Sequence, residues 1–245
     1  MRTFVLLWRR ELAACFLSPI AYVTATVFLM ATGGTFLSQV FMNEGEDQQL
    51  SIMLLASIVA WLTVLVTVIS MRLFVEETRS GNIEALMTAP VSETEIVLGK
   101  YAGALTFLLI VLVPAVACIF VIDLLSPGIV LVDVDIGAVL GGCLILFLLS
   151  AFWTSIGVTV SLTARSQIVA AICCFCAIWF VLLLGWVVTF FPFGTEKIVE
   201  YVSIETHAMD FARGSMNTRP IAMYLSGTAF MLFMAVRILE SRRWR

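Results

Sequence analysis

Six apolar stretches divide the chain: residues 20–41, 52–75, 101–125, 136–162, 168–191 and 221–239. Each reaches the roughly 20 residues that a helix needs to cross the hydrocarbon of a bilayer, and each is bounded by charges or by Pro and Gly. Pro19 stands just before the first stretch, at a position where its missing N–H costs nothing. Pro114 falls inside the third and predicts a kink unless neighbours restore the lost bond. Before the first span the period changes. At about 100° per residue, Phe4, Val5, Trp8, Leu12, Cys15 and Phe16 share one arc, while Arg2, Thr3, Arg9 and Arg10 take the other. This predicts an amphipathic helix over residues 1–18, lying in the membrane interface with its basic face toward the headgroups. Leu12-Ala13-Ala14-Cys15 resembles a lipoprotein cleavage box. Arg9, Arg10 and Glu11 interrupt the apolar stretch that such a signal requires, so that reading fails.

Charge then orients the spans. Eleven Lys and Arg residues fall in the amino-terminal segment, the second and fourth loops and the tail, against three on the other side, Lys197, Arg213 and Arg219. The excess places both termini in the cytoplasm, as an even number of spans allows. Composition agrees with membrane residence: 61% of the 245 residues are hydrophobic, 13% are charged, and the mean hydropathy is +1.07. The balance of 14 Lys and Arg against 17 Asp and Glu leaves no basic surface for nucleic acid. The expected fold is an all-α polytopic membrane protein in a single 1–245 domain.

Two segments outside the spans are long enough to carry recognition. The first, residues 76–99, joins the second and third spans. Arg72 and Glu76 are one helical turn apart and can pair. Gly81 is where the helix emerging from the second span should break, and Ser80 or Asn82 can cap a short helix over 83–88 with Ile83, Leu86 and Met87 on its apolar side. Pro90 ends that helix, and Ser92 with Glu95 forms a capping box that opens the third span. A short apolar helix without a core of its own requires either a partner groove or the headgroup layer. The second segment, residues 192–220, reads as one or two short amphipathic helices at the opposite surface. His207 is its one histidine, and is read as a polar residue that orders the segment.

At these residues the chain resembles the permease subunits of ABC-2-type transporters, and among them the gliding-motility-associated and multicopper-enzyme-maturation permeases. The resemblance is carried by RELAACFLSPIAYV (10–23), EETRSGNIEALMTAPVSETEIVLGK (76–100), HAMDFARG (207–214) and RILESRRW (237–244). It implies that 76–99 holds a coupling helix docked on a separate ATPase subunit, with Glu76, Glu77, Gly81, Ile83, Glu84, Leu86, Met87, Pro90 and Val91 as the coupling residues. Ala85 stands where family members often carry a bulky apolar residue. The resemblance further implies that the first helix, with Phe4, Trp8, Arg9, Arg10 and Leu12, leans on the same partner. The outer segment, with His207, Asp210, Arg213 and Gly214, would dip back into the outer leaflet. Partners implied are two copies of an ABC ATPase, a second permease copy or paralogue, and the lipid membrane. ATP and Mg would belong to the ATPase, with no cofactor on this chain.

Catalytic patterns are missing from the sequence. Gly99-Lys100 lacks the spacing of a phosphate-binding loop, and neither G-x-S-x-G nor H-E-x-x-H occurs, so the chain is not expected to be an enzyme. Cys173, Cys174 and Cys176 lie within an apolar run, diverge around one helix, and are read as packing residues instead of metal ligands. Gly137 and Gly141 form a G-x-x-x-G step, continued along the fourth span by Ser150, Thr154, Gly157 and Ser161, and Gly99 and Gly103 repeat the spacing. Small residues let helix backbones approach closely, within one bundle or across a dimer. The competing functional readings are a non-transporting scaffold for a motility or envelope complex and an ATP-independent channel. The substrate is not legible in the residues.

Overall fold

The computed structural model describes residues 2–42, 50–79, 91–125, 136–189, 203–215 and 217–243. These residues form nine helices, and no strand occurs among them. In chain order they are α1 (Arg2–Leu17), α2 (Pro19–Met42), α3 (Leu50–Ser70), α4 (Val75–Arg79), α5 (Glu93–Leu125), α6 (Ile136–Thr163), α7 (Gln167–Thr189), α8 (Ile204–Ala212) and α9 (Thr218–Arg243). Six helical stretches are long and apolar enough to cross a membrane: α2, the run from α3 into α4, α5, α6, α7 and α9. Helices are required there because lipid offers no partner for a bare N–H or C=O. Hydroxyl side chains within the spans obey the same constraint. Thr67 and Thr154 donate to the carbonyls of Thr63 and Ser150, four residues earlier, at 2.7 and 2.6 Å, so neither brings an unsatisfied group into the bundle.

Helix α6 is the axis of the bundle. Leu149, Trp153 and Thr154 are fully enclosed, and contacts radiate from this helix to its neighbours. Ala151 accepts a hydrogen bond from Tyr101 Oη of α5 at 3.3 Å. Thr159 donates to the Met231 carbonyl of α9 at 3.0 Å. A Cβ at Gly157 would strike Ser70 of α3, and one at Gly227 of α9 would lie 2.7 Å from the Phe152 ring. Both glycines therefore let helices meet more closely than a side chain permits.

These contacts sort the segment ends onto two faces. On one, the Arg72 guanidinium after α3 donates to Ser18 Oγ, just before α2, at 2.5 Å, and Ser161 near the end of α6 meets Phe74 after α3. On the other, α8 lies against the start of α6, the end of α7 and the start of α9. Both ends of the described chain fall on the first face, hereafter the termini face.

Three helix boundaries lie away from the limits of the apolar stretches. The helix of the second span breaks at residues 71–74, ahead of Gly81, which lies outside the described residues. Arg72 and Leu73 donate their N–H groups to the carbonyls of Ile69 and Ser70, three residues back, at 3.4 and 3.2 Å. The Phe74 N–H leaves the helical ladder for Ser161 Oγ at 3.0 Å. A tertiary acceptor has replaced a local one. The helix of the third span begins at Glu93, ahead of the apolar stretch that starts at 101 and where the Ser92–Glu95 capping box opens it: Glu95 N–H donates to Ser92 Oγ at 3.3 Å. Gly99 and Lys100 are thereby inside a helix and not in a loop. The helix continues through Pro114. Finally, α9 extends from residue 218 to 243, beyond the 221–239 stretch at both ends, with Arg237 and Glu240 paired at 2.7 Å on its last turns.

Candidate functional site

The amino-terminal helix does not lie by itself on a surface. It packs lengthwise along the first half of α5, and glycine makes that approach possible: a Cβ at Gly99 would sit 2.9 Å from Leu7 Cβ, and one at Gly103 would sit 2.7 Å from Glu11 Cβ. Trp8 Nε1 donates to Thr106 Oγ1 at 3.1 Å, Phe16 meets the Phe107 ring edge-on at 5.3 Å, and Thr3 Oγ1 donates to Glu95 Oε1 at 2.7 Å. The inward stripe is therefore Leu7, Trp8, Glu11, Leu12, Cys15 and Phe16, at helical spacing. Val5, expected on the apolar arc, is exposed, and Thr3, expected on the opposite arc, meets α5. Phe4 is half-buried, Arg9 and Arg10 are on the exposed side, and Leu12 packs against the main core.

A carboxylate on a buried stripe requires a counter-charge, and Glu11 has one. Lys100, whose side chain is 4% exposed, places Nζ 3.2 Å from Glu11 Oε2 and 3.0 Å from Glu77 Oε1. Arg10 closes the square, its Nη2 2.7 Å from Glu11 and 2.9 Å from Glu77. The hydrogen bond to Glu11 raises the Arg10 guanidinium pKa above its ordinary value, and the nearby charges of Glu11 and Glu77 act in the same direction. The Lys100 ammonium also lies 5.1 Å from the centre of the Phe74 ring, a cation–π geometry. Phe74 is the residue whose N–H is held by Ser161. Two cations and two anions thus tie α1, α4 and α5 together above a turn anchored on α6. Because charge balances and every member has a partner, the cluster is stable as a set and costly to break singly.

Beside this square, Arg72 pairs with Glu76 at 3.3 Å, the turn-spaced pair expected from sequence. Burial pushes the Cys15 thiol pKa up, so this cysteine stays protonated and a poor nucleophile near neutrality.

The opposite face is built differently. Ser203 caps α8, its Oγ accepting from Thr206 N–H at 3.4 Å. At the other end Gly214 has φ 77°, Gly214 N–H donates to the Phe211 carbonyl at 3.0 Å, and Ser215 N–H donates to the Asp210 carbonyl at 2.9 Å. This paired arrangement is a Schellman motif, which needs a residue tolerant of positive φ at its turn. The apolar side of α8, with Ile204, Ala208 and Phe211, is buried. Gly141 of α6 receives it so closely that a Cβ there would collide with the Phe211 carbonyl. His207, 5% exposed, has Nδ1 3.2 Å from Tyr224 Oη of α9.

The sequence-derived site residues therefore divide. Glu77 is in the charge square, Glu76 is on its rim, and Val91 is partly buried against the core. Gly81, Ile83, Glu84, Leu86, Met87 and Pro90 lie outside the described residues. His207 is in the α8 interface, whereas Asp210 and Arg213 contribute their backbone to its end, and Gly214 is the turn itself. Gly141 and Gly157 face elements of their own chain; Gly137 is half-buried at the start of α6. Sequence reasoning gave no part in this site to Glu11, Lys100 or Phe74, and named Ser161 for helix packing only. Glu11 had a signal, a charge at the position where the apolar spacing of Trp8 and Cys15 predicts burial. Lys100 had one too, once the helix is started from the Ser92 cap.

The comparisons with known proteins bear on what this arrangement belongs to. No curated protein matches the chain. The family described as ABC-2 family transporter protein matches residues 8–179, more than half of the length, from the middle of α1 through most of α7 and so including every member of the charge square. This multi-pass membrane protein belongs to the ABC-2 transporter family.

Proposed function

We propose that the chain is the permease subunit of an ATP-binding-cassette transporter, and that its termini face receives the ATPase. The family is one of transporter membrane components whose ATPase is a separate partner. The observation that carries the reading is the charge square: it joins α1, the α4 helix leading into residues 80–90, and the start of α5 into one unit at the termini face. A force applied to residues 80–90 reaches the second span through Phe74 and the third through Lys100. On this reading the coupling helix is 83–88, with Gly81, Ile83, Glu84, Leu86, Met87 and Pro90 in contact with the ATPase and Glu76, Glu77 and Val91 as its roots.

The complex then contains two ATPase subunits and a second permease copy or paralogue in the bacterial inner membrane, with both termini cytoplasmic as the Lys and Arg distribution supports. ATP and Mg are held by the ATPase, and this chain performs no chemistry of its own. ATP-driven closure of the ATPase dimer pushes on 80–90, the two bundles rock, and a path opens toward the α8 face. Within the family, residues 76–100, 207–214 and 237–244 support membership of the gliding-motility and multicopper-enzyme-maturation group.

The test is to extract the carboxyl-terminally tagged chain in mild detergent from its native host and identify what accompanies it. An ATP-binding subunit in about equal amount, lost on Glu84→Lys, is the expected result. Recovery of the chain with envelope proteins and no nucleotide-binding subunit would overturn the reading in favour of a scaffold.

A further inference from the structure

Next to the charge square is a cleft of about 850 Å³, walled by the end of α1, the start of α2 and the end of α3. This is within the range of sites that hold small ligands. Its two ends differ in chemistry. At the mouth are Arg72, Glu76, Arg10 and Ser18; further along α2 and α3 are Ala21, Thr24, Val68 and Ile69, and Phe107 of α5 also lines it. Thr24 is six residues along α2 from Ser18, about 9 Å further into the bilayer at the rise of a helix. The cleft therefore crosses the boundary between headgroups and hydrocarbon on the termini face, and it is open to the side. Leu17 and Ile20 at its edge are 82% and 46% exposed, apolar surface at the depth where acyl chains begin.

The charges at the mouth are not equally committed. Lys100 is 4% exposed and Glu11 12%, both held within the square, whereas Glu76 is 56% exposed and Arg10 52%. The Arg72 guanidinium is anchored by Ser18 Oγ and meets Glu76 only at 3.3–3.4 Å. Its Nε–Nη2 edge holds the two oxygens of Glu76, and when Glu76 turns away that edge has the geometry to take two oxygens of one phosphate, with Ser18 beside it. Glu76 is then available for a cation on the same molecule. Three cations and three carboxylates line the cleft, so its wall has no net charge, and a ligand carrying one charge of each sign fits it better than an anion.

From this geometry we infer that the cleft binds a phospholipid of the leaflet on the termini side, with a zwitterionic headgroup. The phosphate sits on Arg72 and Ser18, the ammonium on Glu76, and one acyl chain runs between α2 and α3 past Ala21, Val68 and Ile69. The remainder of the lipid leaves through the open side into the bilayer. Bound there, it props the end of α1 against α2 and α3 beside the charge square. The inference needs only that the chain spans a membrane, and it does not depend on the transporter reading.

Native mass spectrometry of the full-length chain in mild detergent tests it, with phosphatidylethanolamine and phosphatidylglycerol titrated separately. The expected result is a first phosphatidylethanolamine bound more tightly than phosphatidylglycerol and weakened about tenfold by Arg72→Gln, the loss of one charge-assisted contact. Ala14→Trp, at an exposed lining position, should block the cleft without disturbing a packed interface and lower occupancy as strongly. Inorganic phosphate should not compete, since it lacks the ammonium and the chain. Equal lipid binding by the wild type and Ala14→Trp would overturn the site. Preference for phosphatidylglycerol, or displacement by phosphate alone, would overturn the zwitterionic lipid as its occupant.

Discussion

The two faces of this bundle each hold an extra helix against the spans, and they do so by opposite means. On the termini face α1 is seated on Gly99 and Gly103 and then locked by four charges contributed by α1, α4 and α5. On the other, α8 is seated on Gly141 and held by an apolar face, a serine cap and a His207–Tyr224 contact. Glycine does the same work at both, allowing backbones to touch. What differs is how the joint responds to load. Ion pairs keep their attraction over small displacements and turn with the elements that carry them, so they connect parts that move together. The apolar face of α8 attracts only at contact distance, its contacts weakening within a fraction of an ångström. The termini face thus joins three elements through charge, and the α8 face holds one element by close apolar contact.

Substitutions in order of effect would break or sharpen this contrast. Lys100→Met removes one cation and leaves Glu11 and Glu77 facing Arg10 alone; an uncompensated buried charge costs about 3–5 kcal/mol. Thermal unfolding in detergent should show a large drop, and Glu77→Gln in the same chain should recover part of it by restoring charge balance. Gly141→Ala forces a methyl against the Phe211 carbonyl, and overpacking of this kind costs about 1–3 kcal/mol. Its effect should be confined to α8, appearing as faster hydrogen exchange over residues 204–212 while α1 is unchanged. His207→Phe leaves the buried Tyr224 hydroxyl without its partner, a loss of about 1–2 kcal/mol, which Tyr224→Phe in the same chain should largely cancel. Ser92→Ala removes the cap of α5 and should cost about 1 kcal/mol, read as fraying of residues 93–96 by hydrogen exchange. If Gly141→Ala loosened α1 as much as α8, the two joints would not be independent.

How much of this was legible depends on where each signal resides. The six spans follow from apolar length alone, which lipid enforces without reference to neighbours. The Ser92 cap is likewise local, and read together with Glu95 it places Lys100 inside α5. The break at 71–74 is not local. Its cause is Ser161, 87 residues away, and nothing in the sequence Met71–Phe74 announces a turn. The face of α1 lies between these cases. Its period is plain, yet the arcs leave Glu11 unassigned, since one residue cannot reveal that its counter-ion arrives from another helix. Gly214 was singled out with the segment it ends, but its reason, a positive φ closing the α8 helix, required the backbone. Glycine spacing in the fourth span could not choose between bundle and dimer; Gly141 and Gly157 both turn out to face their own chain.

The central claim is that the charge square links the ATPase to the spans. The most direct measurement is the amount of ATP-binding subunit recovered with the tagged, detergent-extracted chain for the wild type, Lys100→Glu and the charge-conserving Lys100→Arg. Recovery is predicted with the wild type, a loss with Lys100→Glu although the chain is still made and inserted, and substantial recovery with Lys100→Arg, which keeps a cation between Glu11 and Glu77. Equal recovery from all three, or none from the wild type, would contradict it.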